Sequence, residues 1–184
     1  MDKVHLIVPC HFGVESVLKR EIIDLGYEIE RVEDGRITFS GNLLAICRAN
    51  VFLRTAERVM IQVGRVKAQT YDELFEAVKA LKWSDFIPEN GKFWVKKASS
   101  VKSKLFSPSD IQRIVKKAIV ENLKQEYGVS WFSEDGASYP IRVFFYKDEA
   151  VIALDTSGES LHKRGYRYYT SKAPISETLA AALI

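Results

Sequence analysis

Residues Ser99 to Ala118, SSVKSKLFSPSDIQRIVKKA, place Lys102 and Lys104 on a loop of small residues, Val101 to Phe106, directly before a well-signalled helix start. Free backbone N–H groups at a helix N-terminus, with lysine ammonium groups pointing the same way, are the chemistry that holds a phosphate. Ser107 is placed to accept from those N–H groups as N-cap, and Pro108 suits the first helical position, where no donor is needed. Asp110 follows the cap as in a capping box and favours the positive end of the helix dipole. The helix behind it is apolar through Ile111, Ile114, Val115, Ala118, Ile119 and Leu123. At about 100° per residue, Arg113, Lys117 and Lys124 fall on the opposite side, with Lys116 at the edge. Taken alone, the stretch fits a core helix with a solvated basic face slightly better than a phosphate site.

Charge distribution shifts that balance. The 184-residue chain carries a net charge of only +3, yet Lys92 to Lys124 holds nine Lys or Arg against Asp110 and Glu121, a local +7. Lys163, Arg164, Arg167 and Lys172, with no acid between Ser160 and Lys172, add a local +4, which leaves −8 on the remainder. Two basic segments on an acidic body point to a surface for a polyanion, provided the fold brings them together.

Residues for other chemistries are missing. The sequence contains no G-x-G-x-x-G, no G-x-x-x-x-G-K-[ST], no H-E-x-x-H and no nucleophile elbow. Glu134-Asp135 and Asp148-Glu149 fall in polar, turn-like contexts that predict solvated loops. The three histidines are scattered, and His11 beside Cys10 has no further ligand near it in sequence, so it reads as a strand-end histidine. Cys10 and Cys47 have neither metal spacing nor a disulfide framework, which predicts two reduced thiols in a cytoplasmic protein. Hydrophobic content of 47% and charged content of 28% predict a folded chain rather than a disordered one. No apolar run approaches the ~18 residues of a membrane span. No catalytic, cofactor-binding or metal-binding residue is assigned.

The elements that must position the basic residues follow from periodicity. Val4 to Val8 reads as a strand, Val14 to Leu25 as a helix closed by Gly26, and Tyr27–Glu33 and Arg36–Ser40 as strands around the hairpin signal Asp34-Gly35. Asn42 caps a helix to about Ala49, and Glu57 to Lys67 is strand-like. That β-α-β-β-α-β order is the ferredoxin-like plan for roughly the first 65 residues. A second unit opens at Thr70-Tyr71-Asp72-Glu73, another capping-box start, with Leu74, Ala77, Val78 and Leu81 inward. Pro88 to Gly91 is a turn. Lys92 to Ala98 is a strand with Phe93, Val95 and, by alternation, Lys97 on one side, and Lys92, Trp94 and Lys96 on the other. Trp94 between lysines would suit base stacking, though packing is the expectation for a strand tryptophan. After the helix to Tyr127-Gly128, Ile141–Tyr146 and Ala150–Asp155 form a hairpin whose nearly continuous apolar second strand predicts an interior position. A last helix opens after Pro174, from Ile175 to Ile184. Its apolar side has nothing after it to pack on, so the chain is expected to be the front part of something longer.

Several segments in order carry a resemblance. They are Phe86-Ile87-Pro88, Gly91 to Val95, Ser99 to Ile119, Leu154 to Gly158, Leu161 to Arg167 and Ala173 to Ala182. Together they resemble the amino-terminal half of THUMP-containing RNA methyltransferases, most closely those that methylate guanine N2 in large-subunit ribosomal RNA and are often labelled adenine-specific DNA methylases. The resemblance implies an α+β chain: a ferredoxin-like domain at 1–67, a THUMP RNA-binding domain at 68–160, and at 161–184 a linker with the first helix of a methyltransferase domain. It also implies that the S-adenosylmethionine loop and the Asn/Asp-Pro-Pro-Tyr catalytic motif belong to that further domain, so that this chain alone would bind structured ribosomal RNA without catalysing.

On residues, the resemblance points to the Ser99–Leu105 loop and the start of the next helix. With the charge pattern this nominates Lys102, Lys104, Arg113, Lys116 and Lys117 as phosphate contacts, Lys96 and Lys97 as flanks, and Lys163, Arg164 and Arg167 on the tail. Rival expectations are the THUMP module of a tRNA-thiolating or deaminating enzyme, and a ferredoxin-like protein-interaction or regulatory module.

Overall fold

In the computed structural model, which describes residues 3–169 and 172–184, strands and helices alternate as β1 (Val4–Pro9), α1 (Glu15–Asp24), β2 (Glu28–Glu33), β3 (Arg36–Gly41), α2 (Leu43–Phe52), β4 (Met60–Lys67), α3 (Tyr71–Lys79), β5 (Lys92–Val101), α4 (Pro108–Tyr127), β6 (Ser138–Tyr146), β7 (Glu149–Asp155) and α5 (Glu177–Ala181). Two units form: Met1–Ile61 together with Asp155–Ile184, and Gln62–Leu154.

The first unit has the expected β-α-β-β-α-β order. Its sheet runs β2-β3-β1-β4, with β3 antiparallel to both β1 and β2 and the first residues of β4 antiparallel to β1. Leu6 and Val8 of β1, Ile37 and Phe39 of β3, Leu18 and Ile22 of α1, and Ala45 and Ala49 of α2 share one buried cluster. α1 is one residue shorter at each end than its apolar periodicity predicts. It closes by a Schellman motif: Gly26, at φ +85°, donates to the Ile23 carbonyl, and Tyr27 donates to that of Ile22. The Glu15 carboxylate accepts from the N–H groups of Gly13 (2.9 Å) and Gly35 (2.7 Å), tying the β1–α1 turn to the hairpin turn. The Gly35 bond is the largest reason that this carboxyl is held below its usual range. Asn42 caps α2 by accepting from the Ala45 N–H, and the helix runs three residues beyond its expected end.

Residues 155–184 belong with this first unit, whereas the sequence placed a boundary at 160/161. The buried Asp155 carboxylate meets the Arg58 guanidinium at 2.8 Å. Arg58 also donates to the Gly158 carbonyl and the Ser160 hydroxyl. Glu57 gathers three further segments. Its carboxylate lies 3.1 Å from His11 Nε2 and 3.6 Å from His162 Nδ1, and it accepts from the Thr178 hydroxyl at 2.7 Å. The last helix is confined to Glu177–Ala181, with Ser176 as its N-cap.

In the second unit the strand order is β4-β7-β6-β5. β7 is interior, as its apolar run predicted, and β5 is parallel to β6 at the edge. The β6–β7 turn uses Lys147 and Asp148 at φ +50° and +61°, the left-handed pair that suits a two-residue hairpin. Thr70 caps α3 by accepting from the Glu73 N–H, and the Glu73 side chain reaches back to the Gln69 N–H at 2.7 Å. α4 packs on α3 and β5 through Ile111, Val115, Ala118, Ile119 and Leu123, all buried, and ends at left-handed Gly128. The fully buried Trp83 donates its indole N–H to the Val78 carbonyl.

Candidate nucleic-acid interface

β5 is longer than its sequence suggests, because Ser99, Ser100 and Val101 continue the parallel ladder against Phe144, Phe145 and Tyr146. The basic loop therefore begins at Lys102, later than the Ser99 start expected for it. Between Val95 and Lys97 the register shifts, leaving Lys96 as a bulged residue. A bulge breaks the two-residue alternation of side chains, so Lys96 and Lys97 are both exposed while Ala98 takes the buried position that strict alternation assigned to Lys97. No glycine marks this bulge, which is why periodicity misplaced Lys97.

Trp94, on the same strand, is partly exposed and lines a shallow groove of about 500 Å³ with Val95, Gln112, Arg113, Lys116 and Lys117. An indole face and three cations thus share one open surface between β5 and α4. The expected packing of Trp94 is only partial. Arg113 is exposed and lies 3.0 Å from Asp110 one turn earlier. The Lys117 ammonium sits 5.5 Å above the ring of Phe75, which holds its stem against α3. The side chains of Lys96, Lys97, Lys102 and Lys116 are exposed and make no hydrogen bond or ion pair with the described residues.

The 102–107 loop is organised by groups that sequence reading missed. The Asp148 carboxylate accepts from the Lys104 backbone N–H at 2.7 Å and from the Gln69 amide at 3.3 Å. The Ser103 hydroxyl accepts from the Asp148 N–H, and the Lys104 ammonium donates to Gln69 Oε1 at 2.7 Å. Lys102 occupies the left-handed region at φ +52°, which no contact within its own loop predicts from sequence. Ser107 caps α4 as its sequence foretells, accepting from the Asp110 N–H.

Of the sequence-nominated cations, Arg113, Lys116 and Lys117 line the groove, Lys96 and Lys97 extend along its strand, and Lys102 and Lys104 sit on the loop held by Asp148. Lys163, Arg164 and Arg167 fall in the other unit. Lys163 is exposed, but the Arg164 guanidinium donates to the carbonyls of Val51, Leu53 and Leu161. Arg167 donates to the Ile175 carbonyl and pairs with Glu177 at 3.1 Å.

No helix among the described residues is long and apolar enough to cross a membrane. Nor do any three or more His, Cys, Asp or Glu side chains among them form a group that could hold a metal ion.

Residues 5–60 match the RlmL ferredoxin-like domain and residues 68–155 the THUMP domain. A candidate RNA methyltransferase of Bacillus subtilis (strain 168), YpsC, is 54% identical over 186 residues, covering 100% of this chain and 48% of that protein. The ribosomal RNA large subunit methyltransferase K/L of Pseudomonas aeruginosa is 32% identical, covering 100% of this chain and 25% of that protein. The solved structure of a candidate methyltransferase complexed with SAH superposes with a TM-score of 0.92 at 41% identity, covering 100% of this chain and 48% of that one. The chain therefore spans half or less of the length of the relatives it matches.

Proposed function

We propose, on the premise that this chain belongs to the RlmL-type ferredoxin-like and THUMP family of RNA methyltransferases, that it captures structured RNA for a catalytic domain outside these 184 residues. One observation carries the reading: Arg113, Lys116 and Lys117 converge with Trp94 on a single open groove, beside a bulge that turns Lys96 and Lys97 outward. Cations spaced along a strand and a helix suit a phosphate backbone, whose contacts fix position without reading sequence. The partly open indole adds a face on which a base can stack.

In this reading the parent enzyme methylates guanine N2 of large-subunit ribosomal RNA in the cytoplasm, and S-adenosylmethionine supplies the methyl group. The described residues do not fit that cofactor. The N–H of Gly13, at the β1–α1 turn, is occupied by the Glu15 carboxylate, so no open glycine cradle exists there. The 184-residue chain alone is expected to bind RNA without turnover. Its partners are the RNA and the parent's own catalytic domain, with no membrane.

The test is a titration of a structured ribosomal RNA fragment at two salt concentrations, with wild type and with Lys102→Ala/Lys104→Ala/Lys117→Ala. Wild-type binding should weaken as salt rises. The variant should bind more weakly, with a log–log salt slope shallower by about one per lost phosphate contact. Equal affinity of the two proteins would sink the assignment.

A further inference from the structure

The two donor groups of Lys104 go to different acceptors. Its backbone N–H donates to Asp148 Oδ1 at 2.7 Å, which brings the residue against a half-buried carboxylate. Its ammonium nevertheless forms no ion pair with that carboxylate, or with any other among the described residues. It donates instead to the neutral Oε1 of Gln69 at 2.7 Å. The second oxygen of Asp148, Oδ2, accepts from Gln69 Nε2 at 3.3 Å.

Gln69 therefore stands between a cation and an anion that share one loop. Its neighbours fix the orientation of its amide. An ammonium has only donors and an ionised carboxylate only acceptors, so the carbonyl faces Lys104 and the NH2 group faces Asp148. No other uncharged side chain is both donor and acceptor at that reach except asparagine, which is one methylene shorter.

The arrangement has an electrostatic consequence. A lysine paired with a carboxylate must release it before taking a phosphate. An ammonium resting on an amide oxygen keeps its full charge and two of its three N–H donors. Lys104 and Gln69 are both exposed, so those donors can be reached from solvent. Asp148 thus orders the loop through the backbone of Lys104 without neutralising the side chain that the loop presents.

We propose that Gln69 is a positioning residue for the RNA contact: it holds the Lys104 ammonium off Asp148 and leaves it open for a backbone phosphate. This rests on the reading of the chain as an RNA-capturing module. Because phosphates carry no sequence information, Gln69 sets affinity and not base preference.

The test is a titration of a labelled structured RNA at two salt concentrations with the 184-residue chain and its variants. In Gln69→Ala the ammonium should turn to Asp148, and binding should weaken roughly 2- to 5-fold, the range of an exposed ion pair. The log–log salt slope should become shallower by about one, as for a lost phosphate contact. Gln69→Glu gives Lys104 a carboxylate directly and should weaken binding at least as much. Two backgrounds separate positioning from other roles. With Asp148→Asn no carboxylate remains to capture the ammonium, so adding Gln69→Ala should cost nothing. With Lys104→Ala the group through which Gln69 acts is gone, and Gln69→Ala should again cost nothing. Full affinity in Gln69→Ala, an unchanged salt slope, or the same loss in either background would overturn the positioning role. Loss in Lys102→Ala/Lys104→Ala/Lys117→Ala with none in Gln69→Ala would remove this inference and leave the capture reading standing. Wild-type affinity in that triple variant would overturn both.

Discussion

Gln112 donates from its side-chain amide to the backbone carbonyl of Val95 at 2.9 Å. That bond joins the helix carrying Arg113, Lys116 and Lys117 to the strand carrying Lys96 and Lys97, beside the residue where the β5–β6 register shifts. A bulge disrupts the ladder locally, so a carbonyl next to it gains from a side-chain donor. Gln112→Leu keeps the volume and removes the donor. We expect a loss of about 1 kcal/mol in urea unfolding, and several-fold weaker RNA binding with an unchanged salt slope. Full affinity in this variant would show that the bond does not set the spacing of the cations.

Asp148, on the β6–β7 hairpin, is the corresponding anchor for the loop at Ser103 and Lys104. Its carboxylate accepts from the Lys104 N–H, and its own backbone sits at φ +61°. Two contributions can therefore be separated by substitution. Asp148→Asn keeps an acceptor and tolerates the left-handed region, so amide exchange at Lys104 should stay close to wild type. Asp148→Gly relieves the backbone but removes the acceptor, and exchange at Lys104 should accelerate. Asp148→Ala loses both and should be the least stable of the three, by about 1–2 kcal/mol. Identical exchange in all three would show that the carboxylate does not hold the loop.

The features that were legible in sequence are those written in local chemistry. Ser107, Thr70 and Asn42 each cap the helix they announce, Gly26 and Gly35 adopt the left-handed backbone their positions required, and the apolar run of β7 lies inside its sheet. Features that depend on long-range partners were not legible. The bulge at Lys96 arises from the register against β6, and the Asp148 anchor joins residues 44 apart in sequence. The tail from Leu161 onward read as a linker and first helix because its ties, Leu161 to Glu57 and Thr178 to Glu57, span roughly a hundred residues or more. Charge counting nominated Arg164 and Arg167 as well as Lys102, because composition carries no information about which cations already have acceptors.

The two cysteines should behave differently. Burial, and then the charges of Glu15 and Glu57, push the Cys10 thiol up to about 12 from 9.0, while Cys47 is exposed on α2. At neutral pH a thiol reagent should therefore modify one site in the native protein, Cys47, and two after denaturation; Cys47→Ser should abolish the native reaction. The sign of the pH effect follows. Below pH 9 both states hold the Cys10 proton, and stability is unaffected. Between about 9 and 12 the unfolded chain loses that proton first, so stability falls as pH rises through this window. Cys10→Ala should flatten that part of the alkaline decline. Rapid native labelling of Cys10 would contradict the buried, protonated thiol.

Arg164 gives the sharpest separation between a charge that binds a ligand and one that completes a fold. Its guanidinium donates to Leu161 at 3.0 Å, Val51 at 2.7 Å and Leu53 at 2.6 Å, the latter two at the C-terminal end of α2, where backbone carbonyls lack helical partners. A cation there also meets the negative end of the helix dipole. The guanidinium spans three acceptors on two segments; an ammonium at the same place is a single point with no planar fork. Arg164→Ala should lower stability by about 1–3 kcal/mol, and Arg164→Lys should recover only part of it despite keeping the charge. RNA affinity, measured below the unfolding transition at fixed salt, should change little in either variant. A phosphate contact would give the opposite pattern, with unfolding midpoints unmoved, affinity lost in Arg164→Ala and largely restored in Arg164→Lys.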